Sequence, residues 1–155
     1  MRIGIIGDTH RHMESIEKAI EHFKGCEMIL HTGDNFEDAS IIHSNTNIGI
    51  IAVKGNCDFE DVEDEMLFES CGKRIFLCHG HKYGVKHGNM GLEKRAKEVR
   101  ADIVVFGHTH IPHIEETGGI LFINPGSTSR PRSGNGSAGV LSITDENVEF
   151  ELFEV

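Results

Sequence analysis

An α/β sandwich, two packed β-sheets with helices on their outer faces, is the fold class that this sequence predicts. Short apolar runs alternate with amphipathic helical segments in the first part of the chain. From Ile111 onward the pattern reads as β-structure. Mixed strand–helix order followed by antiparallel strands is the pattern of a layered α/β arrangement.

Arg2–Gly7 (RIGIIG) is a continuous apolar run closing on Gly, as expected of a buried strand. Met13–Phe23 follows as a helix, with Ile16, Ile20 and Phe23 at helical spacing and Glu14, Glu17, Lys18 and Glu21 toward water. Glu27–Thr32 is the second strand, Asp38–His43 a short helix and Asn47–Lys54 the third strand. Glu65–Ser70 and Lys73–Cys78 form an antiparallel pair joined at Cys71-Gly72. Asn89–Arg100 is a helix with Asn89 as N-cap and Leu92, Ala96 and Val99 on one face. Asp102–Phe106, Ile120–Ile123, Gly139–Thr144 and Asn147–Phe153 complete the strands, and Asp145-Glu146 turns between the last two. Ser127–Ser137, with its Ser, Gly, Arg and single Pro, is a loop.

The 155 residues predict one domain, 1–155, a size that buries roughly 70% of its unfolded surface. No apolar run approaches the roughly 20 residues that span a bilayer, so no membrane partner is expected. The opening run lacks a signal-peptide stretch, which predicts a cytoplasmic protein. The net charge is −10, from 25 acidic and 15 basic residues. Long nucleic acids are held mainly by Lys and Arg on phosphates, so this balance argues against them as partners. A small phosphate ester is compatible, because bound cations reverse the sign locally. Cys26, Cys57, Cys71 and Cys78 form no C-x-x-C pair, which argues for free thiols over disulfides or a thiolate zinc site. Eleven histidines stand beside one Tyr and no Trp.

Five polar motifs each follow an apolar strand: Gly7-Asp8-Thr9-His10, Gly33-Asp34, Gly55-Asn56-Cys57-Asp58, His79-Gly80-His81 and Gly107-His108-Thr109-His110. Alone, each is weak: an Asp after a strand is often a turn former or helix N-cap, and Gly-Asn is a common turn pair. Together they deliver Asp8, His10, Asp34, Asn56, His79, His108 and His110 to the carboxyl edge of the strands, where ligands of such sheets gather. These are residue types that bind divalent cations. Asp8 and His10, two apart in an extended segment, point the same way and share a cation, and His108 and His110 repeat that geometry. Seven ligands exceed one tetrahedral ion and suit two ions, with Asp34 as the bridge.

These motifs resemble those of the calcineurin-like metallophosphoesterases: D-x-H, G-D, G-N-H-[DE], H and G-H-x-H, spread over the first 110 residues. The resemblance covers the whole chain and places it near the small bacterial and archaeal phosphodiesterases of that superfamily. It implies a four-layer αββα fold and two metal positions. Asp8, His10, Asp34 and His110 would hold one ion; Asp34, Asn56, His79 and His108 would hold the other. One departure is plain. The family His of G-N-H-[DE] is Cys57 here, so the residue that protonates leaving groups in many members is missing. Cys57 is either a weak acid in its place or a small buried residue. His81 is a substitute acid, a phosphate contact or a partner of a ligand. Asp58 either orients a neighbour of the site or caps a loop.

The implied reaction is phosphodiester hydrolysis by a hydroxide bridging two cations about 3.5–4 Å apart. Mixed imidazole, carboxylate and amide ligands suit Mn²⁺, Ni²⁺, Fe²⁺ or Zn²⁺, with Mn²⁺ favoured. Without a strong proton donor, small diesters with acidic leaving groups should react best. Two other readings compete. One is a non-catalytic metal-binding or interaction scaffold, since one retromer subunit keeps this fold with part of the metal set lost. The other is a nuclease, which the acidic balance opposes; Arg130 and Arg132 are the only basic pair near the motifs. A homo-oligomer is compatible with the sequence. His12 and His31 flank the motifs, while His22, His43, His87 and His113 read as surface or structural.

Overall fold

The computed structural model describes residues 1–155. In chain order the elements are β1 (Arg2–Ile6), α1 (Met13–Glu21), β2 (Met28–His31), α2 (Asp38–Thr46), β3 (Gly49–Ala52), β4 (Glu65–Ser70) and β5 (Lys73–Cys78). Two short 3-10 turns, His81–Tyr83 and Val85–His87, lead into α3 (Met90–Glu98). Then come β6 (Ile103–Val105), β7 (His113–Thr117), β8 (Ile120–Asn124), β9 (Ser137–Ile143) and β10 (Val148–Glu154). No helix is long and apolar enough to cross a membrane.

The strands form two mixed five-stranded sheets, in the orders β10-β9-β1-β2-β3 and β4-β5-β6-β8-β7. β1, β2 and β3 run parallel in the first sheet, and β5, β6 and β8 in the second. The period-2 alternation of the strands builds the layers. Ile3, Ile5, Ile75, Leu77, Ile103 and Val105 point between the sheets into one apolar cluster. Their neighbours Phe76, Cys78, Val104 and Phe106 point the other way and pack against Leu92 and Ala96 of α3. Ile6 and Ile29 likewise face Ile16 and Ala19 of α1 and Ile42 of α2. A strand buried on both faces must be apolar at every position, and that is why these runs lack alternation. Each fully buried Ile or Phe contributes about 1.5–3 kcal/mol.

Several boundaries differ from the sequence reading for local reasons. α2 runs on to Thr46, because Ser44, Asn45 and Thr46 bond back to the carbonyls of Ser40, Ile41 and Ile42 and carry no apolar signal. Asn89 stands at the N-cap of α3 but makes no side-chain cap bond; its amide turns instead toward His113 Nε2, 3.4 Å away. β7 is an additional strand. Its H-I-E-E-T sequence has one apolar residue because it is an exposed edge, blunted by Glu115 and Glu116. The Cys71-Gly72 turn is as expected, with both residues at positive φ (49° and 71°), the conformation that joins twisted strands in a two-residue hairpin.

Candidate metal centre

The parallel strands of both sheets end at one edge, and their loops interlock there. Asp8 N–H donates to the Gly33 carbonyl, and Gly107 N–H to the His79 carbonyl, at 3.0 and 3.1 Å. His108 N–H crosses between the sheets to Asp8 Oδ2 at 3.1 Å. The Asp8–His10 segment is not extended, as its spacing had suggested, but sharply turned. Asp8, His10, Asp34, His108 and His110 all have positive φ, from 45° to 70°. Left-handed backbone at a non-Gly residue costs of order 1–3 kcal/mol and persists only where surroundings enforce it. Arg11 (59°) and Asn35 (77°) beside them share this conformation, and seven such residues in these loops, five of them Asp or His, point to a functional constraint rather than chance. His108 and His110 do repeat the geometry of Asp8 and His10, through paired left-handed turns.

Asp8, His10, Asp34 and His110 each place one ligand-type atom within 4.8 Å of the others. Asp8 is fully buried and Asp34 nearly so. His110 Nδ1–H donates to the Arg130 carbonyl at 2.7 Å, so the neutral ring turns its Nε2 lone pair to Asp8 Oδ1, 3.1 Å away. Only the imidazolium can donate there; the bond to Asp8 therefore raises the pKa of His110, with burial opposing. His10 Nε2 lies 3.9 Å from Asp34 Oδ2, and burial followed by the charge of Arg130 lowers its pKa. With His110 neutral, Asp8 Oδ1 and His10 Nε2 are buried with no hydrogen-bond partner. Orphaned buried polar atoms are rare and costly; a divalent cation among these four residues would satisfy both.

On the other side of Asp34 the groups are imidazole and amide. His79, fully buried, donates Nδ1–H to the Thr32 carbonyl at 2.8 Å, leaving the Nε2 lone pair toward the site. Around Nε2 lie His108 Nδ1 at 3.1 Å, Asn56 Oδ1 at 3.2 Å and Asp34 Oδ1 at 3.4 Å. The Asn56 amide nitrogen is turned out to the Cys57 sulfur at 3.4 Å. Burial, then the neighbouring His79, pushes the His108 pKa down to about 4. Burial pulls Asp34 up, but His79 and the Cys57 N–H outweigh it and hold the carboxyl below its ordinary value. Only Asp34 Oδ1 among these four atoms meets a backbone donor, the Cys57 N–H at 2.9 Å, and such a convergence of imidazole, amide and carboxylate lone pairs fits a cation.

Asp58 does not face this space. Its carboxylate accepts the N–H groups of Asp34, Asn35, Phe36 and Gly55 at 2.7–3.0 Å, tying the two loops that carry Asp34 and Asn56. It caps both loops through their backbone N–H groups. Gly55 is required beside it: a Cβ there would lie 2.1 Å from Asp34 Oδ1. Cys57 is exposed, which overturns the buried-residue alternative. Desolvation around the sulfur and the Asp34 carboxylate push its pKa up to about 11, so it is a weaker acid than a free thiol. His81 sits at the rim, its ring 5.4 Å from that of His79 and 6.0 Å from that of His108.

Sequence reasoning missed the clamp beneath the loops. The buried Asn124 amide donates to the Gly107 carbonyl and Thr109 Oγ1 at 2.9 and 3.0 Å. Ser127 Oγ donates to the Asp8 carbonyl at 2.7 Å. The polar Asn124-Pro125-Gly126-Ser127 run, directly after an apolar strand, was the available signal. Arg130 is exposed but its carbonyl, not only its charge, serves the site through His110.

Residues 1–146 match the model of the calcineurin-like phosphoesterase superfamily domain, and the chain belongs to that superfamily of phosphoester-cleaving enzymes. A probable metallophosphoesterase of Bacillus subtilis is 37% identical over 134 residues, covering 85% of this chain and 78% of its own. An archaeal phosphodiesterase structure superposes with a TM-score of 0.80 at 30% identity, covering 99% of this chain and all of its own. A single-substitution variant of Vps29 from Entamoeba histolytica shares the fold with a TM-score of 0.78 at 24% identity, covering 100% of this chain and 99% of its own.

Proposed function

We propose that this chain hydrolyses small phosphodiesters with two divalent transition-metal ions, Mn²⁺ for preference. One ion would sit among Asp8, His10, Asp34 and His110, the other among Asp34, Asn56, His79 and His108. The observation that carries this reading is the pair of buried, partnerless polar atoms, Asp8 Oδ1 and His10 Nε2, inside a four-residue cluster. When bound, the ions supply Lewis acidity, polarising phosphoryl oxygens and acidifying water. The chain's own residues do the rest. Thr32 and Arg130 carbonyls set the tautomers of His79 and His110, and Asp58 holds Asp34 and Asn56 in register. Asp34 belongs to both halves.

The phosphodiesterase assignment follows the archaeal relative's own description and the weak acid at Cys57. The thiol at that position is a weaker proton donor than the family imidazole, so diesters with acidic leaving groups suit this site; His81, at the rim, is the remaining imidazole donor. Four free cysteines suit a reducing cytoplasm. The scaffold reading has only the fold shared with Vps29 behind it. The test is elemental analysis after reconstitution, paired with turnover of aryl and nucleotide diesters with and without metal. Two ions per chain and metal-dependent hydrolysis are expected. One ion or none would overturn the binuclear assignment, and full metal loading without turnover would favour the scaffold.

A further inference from the structure

Two imidazoles of the centre are aimed by a carbonyl behind the ring: Thr32 O behind His79 at 2.8 Å and Arg130 O behind His110 at 2.7 Å. Such bonds fix ring direction and ligand basicity. No protein group holds the His10 ring in this way, and its Nε2 is buried without a partner. Its direction is therefore left to the backbone, which is strained there: Asp8, His10 and Arg11 stand at φ 48°, 45° and 59°.

Both neighbours of His10 are tied to one atom. Thr9 Oγ1–H donates to Asp38 Oδ2, and Arg11 N–H donates to the same oxygen at 2.9 Å. The direction of this chain is set from behind. Gly33 N–H donates to His31 Nδ1 at 3.1 Å, so the ring proton sits on Nε2. That N–H faces Thr9 Oγ1 at 3.2 Å, which leaves Thr9 its own hydrogen for Asp38. Thr9 and His31 are fully buried and Asp38 is 1% exposed. This carboxylate, buried on the first turn of α2, makes no side-chain hydrogen bond other than that to Thr9, and a buried charge is costly unless it is hydrogen-bonded. We propose that Asp38, through Thr9 and with His31 behind it, is the positioning residue that holds the Asp8–His10 turn and aims His10 at the metal centre. The inference rests on the metal-centre reading and names how one of its ligands is held.

The test is Mn²⁺ binding to the purified full chain by isothermal titration calorimetry. Asp38→Ala should weaken one of the two binding events by about 10–100-fold and leave the other unchanged. Thr9→Val, which removes the hydroxyl at nearly constant volume, should do the same and gives the reading if Asp38→Ala fails to fold. Asp38→Asn keeps one acceptor oxygen and should recover most of the affinity. In a His10→Ala background, Asp38→Ala should add less than about twofold, while in a His108→Ala background its full effect should remain. Affinities equal to wild type in Asp38→Ala and Thr9→Val, or a full additive loss on top of His10→Ala, would overturn the proposal. Wild-type protein that binds no Mn²⁺ would instead overturn the metal centre itself.

Discussion

The two halves of the candidate centre are built on different principles. The Asp8–His10–His110 half brings its own buried carboxylate and shares Asp34, so charge assembles it. The His79–His108–Asn56 half has no carboxylate of its own and converges neutral lone pairs on Asp34. The electrostatics record the contrast: Asp8 raises the pKa of His110, while burial and His79 push that of His108 down to about 4. In the first half protons and a bound cation would compete for the same atoms. In the second, burial keeps the His108 lone pair free down to about pH 4.

The largest effect should come from the residue common to both halves. Asp34→Ala is expected to cut diester hydrolysis by several orders of magnitude and to lower metal content for both ions, with the far-ultraviolet circular dichroism unchanged. Near-normal metal content and rate would remove its shared role. Less drastic is the pH response that separates the halves. Above its raised pKa His110 is neutral, and below it a cation must displace a proton, so affinity at that half should fall by up to about tenfold per pH unit through that window. His108 is neutral down to about pH 4, so it adds no pH dependence to the other binding constant between about pH 8 and 6, and that constant should fall less steeply than the first. Calorimetric titrations at several pH values would show two parallel slopes if the comparison is wrong.

The same shifts bear on folding of the metal-free chain, with opposite signs. The raised His110 contributes stability at low pH that is lost as pH rises through its folded pKa. His31, lowered to about 4 chiefly by burial, and His108 contribute stability present above about pH 6.5 that is lost as pH falls toward 4. His31→Gln should therefore flatten the decline of the thermal midpoint between about pH 6.5 and 4.5, and an unchanged decline would place the acid sensitivity elsewhere.

A smaller effect is expected at Cys57, whose N–H bonds Asp34 Oδ1 at 2.9 Å. Rates for a series of aryl diesters should depend steeply on leaving-group pKa, and Cys57→His should flatten that dependence by adding a proton donor. Equal slopes in the two proteins would assign donation to His81. The smallest change concerns Arg11, whose backbone N–H bonds Asp38 while its exposed guanidinium pairs with Glu37 at 3.0 Å. Arg11→Ala keeps the backbone bond and should alter stability by no more than about 1 kcal/mol; a larger loss, measured by urea unfolding, would show that the side chain also braces the turn.

The sequence by itself determined the layers and the ligand types. Runs such as Arg2–Gly7 and Asp102–Phe106 are apolar at successive positions because both faces of those strands are buried, and that can be read without coordinates. Asp8, His10, Asp34, His79, His108 and His110 stood out because a polar group directly after such a run sits at the sheet's carboxyl edge. Tertiary structure alone decided the rest. The left-handed turns at Asp8 and His10, the seat of Asp58 under two loops and the exposure of Cys57 left no mark in local pattern. Asp58 bonds residues 22–24 positions away, and Asp38 meets Thr9 across 29. Periodicity reports which face of an element is buried, but hydrogen-bond partners this distant in the chain are chosen only when the strands are placed side by side.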